Sequence, residues 1–586
     1  MMPGRSTALE SVAVAVCATV YAVAFTFPLL ARLHAVSTLA DSDQVLFMRW
    51  APYYSVFHYH QLPLWNPYEC GGVSLWGNPQ AHFLSPFFLL DLLFGPVVGF
   101  HLEITLHLAI AWSGGYALAR VQGLSPLAAA LCGSIFAGSS WYSLHLAEGH
   151  GTFLTSAYLP WILTLLWRGF STRRFVPSAA AGLFIALTLG EGGVYQVPQA
   201  FLMAALVALA VSAMQRNYWP LVSLIVFVAF SVGFSAVRLV PDFEMMRAYP
   251  RPWIHRQVTP LHLLLVSVLS RYQAIDRPLD AGQWGFWEYG AYVGFLALAF
   301  AIIGATKRFR AAVPWLVVTL AFFVLAIGQF GSYAPWSVLH RLPVFSSSRI
   351  PSRFLVPTTL AIGVLAAFGG DFVVKRFGSW GLYAVGLALC AVVIDYWLID
   401  IPNFRLVVDG TPPVVAVVSA GFKQVRDVTN MHMYPTAMAN EGSLNCYEYW
   451  TRVGGPPSPE VGSNEPAYRG EQYLLGSGIV RSTHWTPNEI SFEVDALAPE
   501  ELLINQNYDA SWQLTSGRGQ MLAHEGLLAI SLPAGKQTLT IKYVSWPLRM
   551  GAAISIVTLL VGLGLWIAER RFPGLRDEAP GMEIRD

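Results

Sequence analysis

Long apolar runs separated by short polar segments fill most of the chain, and the pattern changes once, near residue 400. The runs lie at about 11–31, 102–119, 124–141, 153–169, 176–190, 197–214, 219–240, 287–305, 312–329, 354–373, 380–400 and 547–568. Crossing a hydrocarbon layer of roughly 30 Å takes about 20 apolar residues, so the pattern predicts about twelve spanning helices. Between 401 and 546 the runs give way to alternation. EISFEV (489–494), ELLIN (501–505), LLAISL (527–532) and QTLTIKYV (537–544) have the period of half-buried strands, with turn chemistry at Ser516–Gly519 and Pro533–Lys536. The expected fold class is therefore mainly α: a polytopic transmembrane helical bundle with an inserted extracytoplasmic β-sandwich. The expected division is 1–400 for the membrane module, including a first outer loop at 32–101, then 401–546 for the β-rich domain. The last helix and a cytoplasmic tail occupy 547–586.

Composition supports lipid as the solvent, because 55% of residues are hydrophobic and 12% charged, against about 25% charged in soluble domains. A net charge of +1 gives no footprint for nucleic acid. Arg5, Arg120, Arg168/Arg173/Arg174, Arg216, Lys307/Arg308/Arg310, Lys375/Arg376 and Arg570/Arg571 fall on one side if both termini are cytoplasmic. That parity requires residues 83–98, with Asp91, Pro86 and Pro96, to lie along the interface rather than cross. The first run lacks a small-residue cleavage site and is expected to stay as a helix. Cys17, Cys132 and Cys390 sit in apolar runs, and no CxxC or His/Cys cluster suggests a metal or other cofactor. Cys70 and Cys446 both fall outside and are available to pair. GxGxxG and GxxxxGK[ST] are absent, which argues against nucleotide-driven chemistry.

Three features carry candidate chemistry. First, Asp41 and Asp43 follow the first helix, in a loop that continues LPLWNPYECGGVSLWGNPQAHFLSP (62–86). Taken alone the two carboxylates read as solvated. The loop, however, spends Trp65, Asn66, Trp76, Asn78, Gln80 and His82 on rings and amides of the kind that stack on and hydrogen-bond sugars. Interfacial aromatic anchoring would explain some of these rings equally well. Second, Arg247, Arg251, Arg256, Arg271 and Arg277 in the loop at 241–286, with Arg341, Arg349 and Arg353, break the charge rule by lying outside. Arginine near a bilayer is retained where it meets an anion, and its planar fork suits phosphate. Some should pair with Asp242, Glu244, Asp276 or Asp280; Arg349 and Arg353 have fewer acids nearby. Third, Glu148, His150, Glu191, Gln196 and Glu288 sit at outer helix ends, where each could touch a substrate, cap a helix or pair with an arginine.

Sugar transfer from a phosphate-linked lipid joins these features. Phosphate leaves without a general acid, one carboxylate takes the acceptor's proton, and cations stabilise the departing phosphate. Glycosidases need two carboxylates flanking the bond. A single displacement would invert the anomeric carbon.

The motifs Asp41-x-x-Gln44, Leu62–Pro86, Glu148–His150, FWEYGAYVG (286–294), LPVFSSSRIPSRF (342–354), NCYEYW (445–450) and LLINQNYDASWQL with LPAGKQTLTIKYV resemble YfhO-like membrane proteins. That family is similar to the GT-C glycosyltransferases. The resemblance implies an enzyme of the inner membrane that uses a polyprenyl-phosphate sugar on the outer face, with an envelope glycan, polymer or lipid as acceptor. It also implies an acidic catalytic residue in the first outer loop, Asp41 or, with the alignment shifted, Asp43. The rival readings are a transporter of a lipid-linked sugar or phospholipid and a non-catalytic glycan-binding scaffold. A transporter should show inverted repeats, which the sequence lacks, and a scaffold leaves the acidic, aromatic first loop unexplained.

Overall fold

The computed structural model describes residues 5–248, 257–273, 275, 284–346, 348–429, 432–446 and 459–571. Among the described residues, eight helices are long and apolar enough to cross a membrane: Pro96–Val121, Pro126–Glu148, Gln196–Gln215, Trp219–Ala248, Phe286–Lys307, Phe309–Ile327, Pro351–Leu406 and Trp546–Arg571. The chain is an integral membrane protein. Leu9–Phe25 and Phe175–Gly190 are apolar helices of shorter length. The expected runs at 354–373 and 380–400 form one continuous helical stretch, broken at Gly378, whose φ of 56° is open to a residue without a side chain. The expected run at 153–169 begins as a 3-10 turn, Gly151–Tyr158, and only then becomes the helix Leu159–Thr172.

Close approach of helices rests on small residues, as lipid offers no hydrophobic drive for helix association. A Cβ on Gly304 would strike the Leu365 carbonyl, and one on Gly369 would strike the Phe300 carbonyl. These two glycines let the helices Gly294–Lys307 and Leu355–Leu406 pack backbone to backbone.

Two parts of the first outer loop were not visible in the hydrophobic pattern. Residues Ala40–Phe57 form a helix of 18 residues, which places Asp41 and Asp43 in its first turn rather than in loop. Its polar positions are buried against neighbours (Gln44 and Arg49 among them), so no apolar stripe marks it. The segment expected to lie along the interface contains a helix of only 7 residues, Phe88–Phe94, too short to cross.

After Leu406 the chain builds a pair of short parallel strands, β3 (Lys423–Val425) and β4 (Glu441–Ser443), and then a sandwich. Its strands are β5 (Gln472–Leu474), β6 (Gly478–Thr486), β7 (Glu489–Ala496), β8 (Glu500–Asn507), β9 (Trp512–Ser516), β10 (Gln520–His524), β11 (Leu527–Leu532) and β12 (Gly535–Tyr543). One sheet has the order β10-β11-β8-β5 and the other β6-β7-β12-β9. Alternate residues Phe492, Leu539 and Ile541 meet Leu502, Leu528 and Ile530 in a core with no exposed area.

The first loop is stitched into this sandwich. A hairpin of β1 (Trp65–Asn66) and β2 (Val73–Ser74) inserts Trp65 between Trp512 and Tyr543, and its Nε1–H donates to Gln506 at 2.7 Å. Cys70 and Cys446 form a disulfide. The Asn507 amide donates to the carbonyls of Cys70 and Gly72.

Candidate functional site

A cavity of about 380 Å³ opens between the helix Ala40–Phe57, the turn after Glu148, the Glu191–Tyr195 bend and the segments around Trp284–Glu288 and Arg349–Arg353. These five distant stretches of sequence thus meet in one place. Among the residues singled out from sequence, Asp41, Gln44, Gln80, Glu148, His150, Glu191, Glu288, Arg349 and Arg353 line it.

The rim holds the groups that remain accessible. Asp41 Oδ2 lies 3.2 Å from His150 Nε2, with 26% of the Asp41 side chain exposed. Gly149, at φ 104°, makes this possible: its Cα sits so close to the Asp41–Ser42 backbone that a Cβ there would collide. His150 also faces Glu288 at 3.9 Å and His145 Nδ1 at 3.0 Å. Arg353 grips Glu288 with both arms of its fork, at 2.7 and 2.5 Å, and lies over Tyr195 and Phe153. Ser352 donates to the Glu288 carbonyl, fixing the pair. Arg349 lies over Trp284, 5.4 Å from the ring centre.

The floor is a closed network. Arg49 donates to Glu103 at 2.6 Å and Asp91 at 2.5 Å. His82 bridges Glu103 and the Glu191 carbonyl, and Glu191 accepts from Ser85 and Tyr158 and pairs with His107. One guanidinium and two imidazoles face three carboxylates. Burial pushes the Asp91 carboxyl up to about 6, against the lowering effect of Arg49. Arg49, His82, Asp91, Glu103 and His107 were not singled out as site residues from sequence, apart from His82 as a loop donor. Glu103 and His107, one helical turn apart inside an expected span, were the available clue.

Among the described residues, two groups of donors have the spacing to hold a divalent ion, His145/His150/Glu288 and Glu103/His107/Glu191. In each, an arginine already contacts a carboxylate of the group, so a metal would compete with a guanidinium.

The remaining candidates lie elsewhere. Asp43 Oδ2 accepts the backbone N–H groups of Met433 and Tyr434 at 2.8 and 3.1 Å, capping the helix Met433–Met438. Burial raises its pKa against those two bonds. Trp65 is in the sandwich core, Asn66 is paired with Glu69 and Tyr68, and Asn78 caps Gln80. Gln196 is buried at the start of its helix, outside the cavity lining. Arg251, Arg256 and Arg277, with Tyr447–Trp450 of the resemblance motif, lie outside the described residues. Sequence reasoning missed the aromatic walls Phe100, Phe153 and Trp287, which carry no signal beyond being aromatic.

No family model matches the chain, and no curated protein matches it. Solved structures that it is similar to include ArnT from Cupriavidus metallidurans bound to undecaprenyl phosphate, at 13% identity over 75% of this chain and 87% of that one, TM-score 0.48. The Archaeoglobus fulgidus oligosaccharyltransferase tethered to an acceptor peptide is 13% identical over 74% of this chain and 64% of that one, TM-score 0.45. The mycobacterial arabinofuranosyltransferase AftD is 17% identical over 67% of this chain, TM-score 0.43, and this chain spans 27% of its length.

Proposed function

We propose that the protein is a membrane glycosyltransferase that moves a sugar from a polyprenyl-phosphate donor to an envelope glycan, polymer or lipid on the outer face. The observation that carries this is the rim. An accessible carboxylate beside a histidine shares a cavity with two arginines, and an acceptor and a lipid phosphate would need those groups together. Asp41 takes the proton of the acceptor hydroxyl as its oxygen attacks the anomeric carbon. The bond from that carbon to the phosphate oxygen breaks, and the phosphate leaves as an anion facing Arg349. His150 orients Asp41. Arg353 neutralises Glu288 so that this wall does not repel the phosphate, a different role from a direct clamp. Asp43 serves the fold.

Asp41→Asn keeps shape and removes the basic lone pairs. Sugar transfer in reconstituted membranes should fall by about a hundredfold or more, with donor affinity unchanged. Full transfer by this variant would sink the assignment. Lipid movement between leaflets by the wild type, without transfer to any acceptor, would favour a transporter instead.

A further inference from the structure

A second, larger pocket lies apart from the rim and floor. Its volume is about 520 Å³, and it is enclosed by the β1–β2 hairpin, the outer end of the helix Trp219–Ala248, the β8–β9 turn and the segment leading from β12 into the last helix. That size falls within the roughly 300–1,000 Å³ of ligand sites.

The lining is mixed in a particular way. Tyr508 presents a half-buried ring, with the edges of Trp65 and Tyr543 behind it. Glu244 and Arg247 lie at the helix end, both exposed, and Asp509 in the β8–β9 turn lines the same pocket. A sugar hydroxyl both donates and accepts, and a pyranose offers apolar C–H faces to rings, so carboxylates, a guanidinium and an aromatic ring together match a glycan. A lipid phosphate or acidic ligand matches less well, because one arginine stands against two carboxylates.

The pocket is also built rather than incidental. Its back wall is held by the Asn507 amide on the Cys70 and Gly72 carbonyls and by the Trp65–Gln506 bond. It connects mechanically to the first cavity. On the helix that carries Glu244, Arg238 donates to the carbonyls of Trp76, Asn78 and Ala81, the stretch that runs from the hairpin to Gln80 and His82 on the cavity wall.

We infer that this pocket binds a neutral glycan chain, the distal part of the acceptor; the acceptor role rests on the transferase reading, whereas the binding chemistry does not. The test uses the full chain in lipid nanodiscs and saturation-transfer NMR with maltotriose, mannotriose, chitotriose and the acidic trigalacturonate as probes. At least one neutral trisaccharide should bind saturably and better than trigalacturonate. Glu244→Gln and Arg247→Ala, both on an exposed helix end, and Tyr508→Ala should each weaken that binding by about tenfold. Asp41→Asn should leave it intact. Tyr508 also packs on the sandwich, so the two helix-end variants decide the matter if Tyr508→Ala fails to fold. Absence of neutral binding, equal or better binding of trigalacturonate, or unchanged binding in both helix-end variants overturns the inference. If the trisaccharides bind as expected but the wild type transfers no sugar, the transferase reading fails and the glycan site stands.

Discussion

The rim and the floor of the first cavity use the same residue types in opposite ways. On the rim, Asp41 keeps a quarter of its side chain exposed beside His150. On the floor, Glu103 has none exposed and meets Arg49 and His82 at once. A carboxylate with that many fixed partners has no geometry left for a substrate, and its energy goes into holding loop to helix. The contrast suggests where to look in a membrane site: an accessible carboxylate is open to a substrate, while one buried among fixed charges serves assembly. The pair Arg353–Glu288 is intermediate, being buried yet facing the cavity.

The floor should give the largest effect. Removing one partner of a buried ion network leaves uncompensated charge, at about 3–5 kcal/mol. Arg49→Met should therefore lower the thermal midpoint steeply, as followed by fluorescence-detected gel filtration. A midpoint equal to wild type would show that the floor does not hold the loop.

Arg349→Ala should raise the donor dissociation constant about tenfold or more, since a charge-assisted contact contributes roughly 1.5–3 kcal/mol. Arg349→Lys should be impaired too, as an ammonium lacks the fork. Stability should change little in either, in contrast to the floor. Donor affinity retained in both would move Arg349 out of the rim chemistry.

The sandwich side extends the comparison to a buried carboxylate with no cationic partner among its hydrogen bonds. Glu471 accepts from the backbone N–H of Gln424 and from the Tyr468 hydroxyl, and burial pushes its pKa up to about 7 from an ordinary 4.5. The folded state then holds a proton that the unfolded chain releases, so stability should fall as pH rises from about 4.5 to about 7 and level off above. Allowing for partial exposure, the span is about 1–2 kcal/mol. Glu471→Gln should remove the slope and be more stable than wild type at pH 8 in thermal melts. A slope that persists in the variant would assign it to other groups.

The smallest effect belongs to Asp43. Loss of its cap in Asp43→Ala should cost about 1 kcal/mol and leave turnover near wild type. A loss of turnover larger than that of Asp41→Asn would exchange the roles of the two carboxylates.

These distinctions mark how far the sequence could be read. Run length located the eight helices long and apolar enough to cross, out of about twelve expected spans, and alternation located four of the sandwich strands, because those patterns follow from exposure to lipid and to a sheet core. Strands β5, β6, β9 and β10 are short or exposed and alternate weakly. The helix Ala40–Phe57 hid because its buried face mixes polar Ser42, Gln44 and Arg49 with apolar Phe47, Trp50 and Ala51. Residue type also singled out much of the rim, since acids and arginines are rare near a bilayer. It could not separate Asp41 from Asp43, because the cap that occupies Asp43 comes from a segment 390 residues away. Nor could it separate a sugar platform from a core residue at Trp65, whose identity suits both.

The Cys70–Cys446 link spans a sequence separation of 376, and that distance is also an interval of time. At about 5–20 residues per second of synthesis, its second thiol emerges about 20–75 s after the first. Throughout that wait the loop that carries Cys70 is made with its thiol unpaired, before β4 or the sandwich exists to receive it. Every helix from Pro96 to Leu406 is synthesised in the meantime, so closure of the bond records that the chain between its ends has been made.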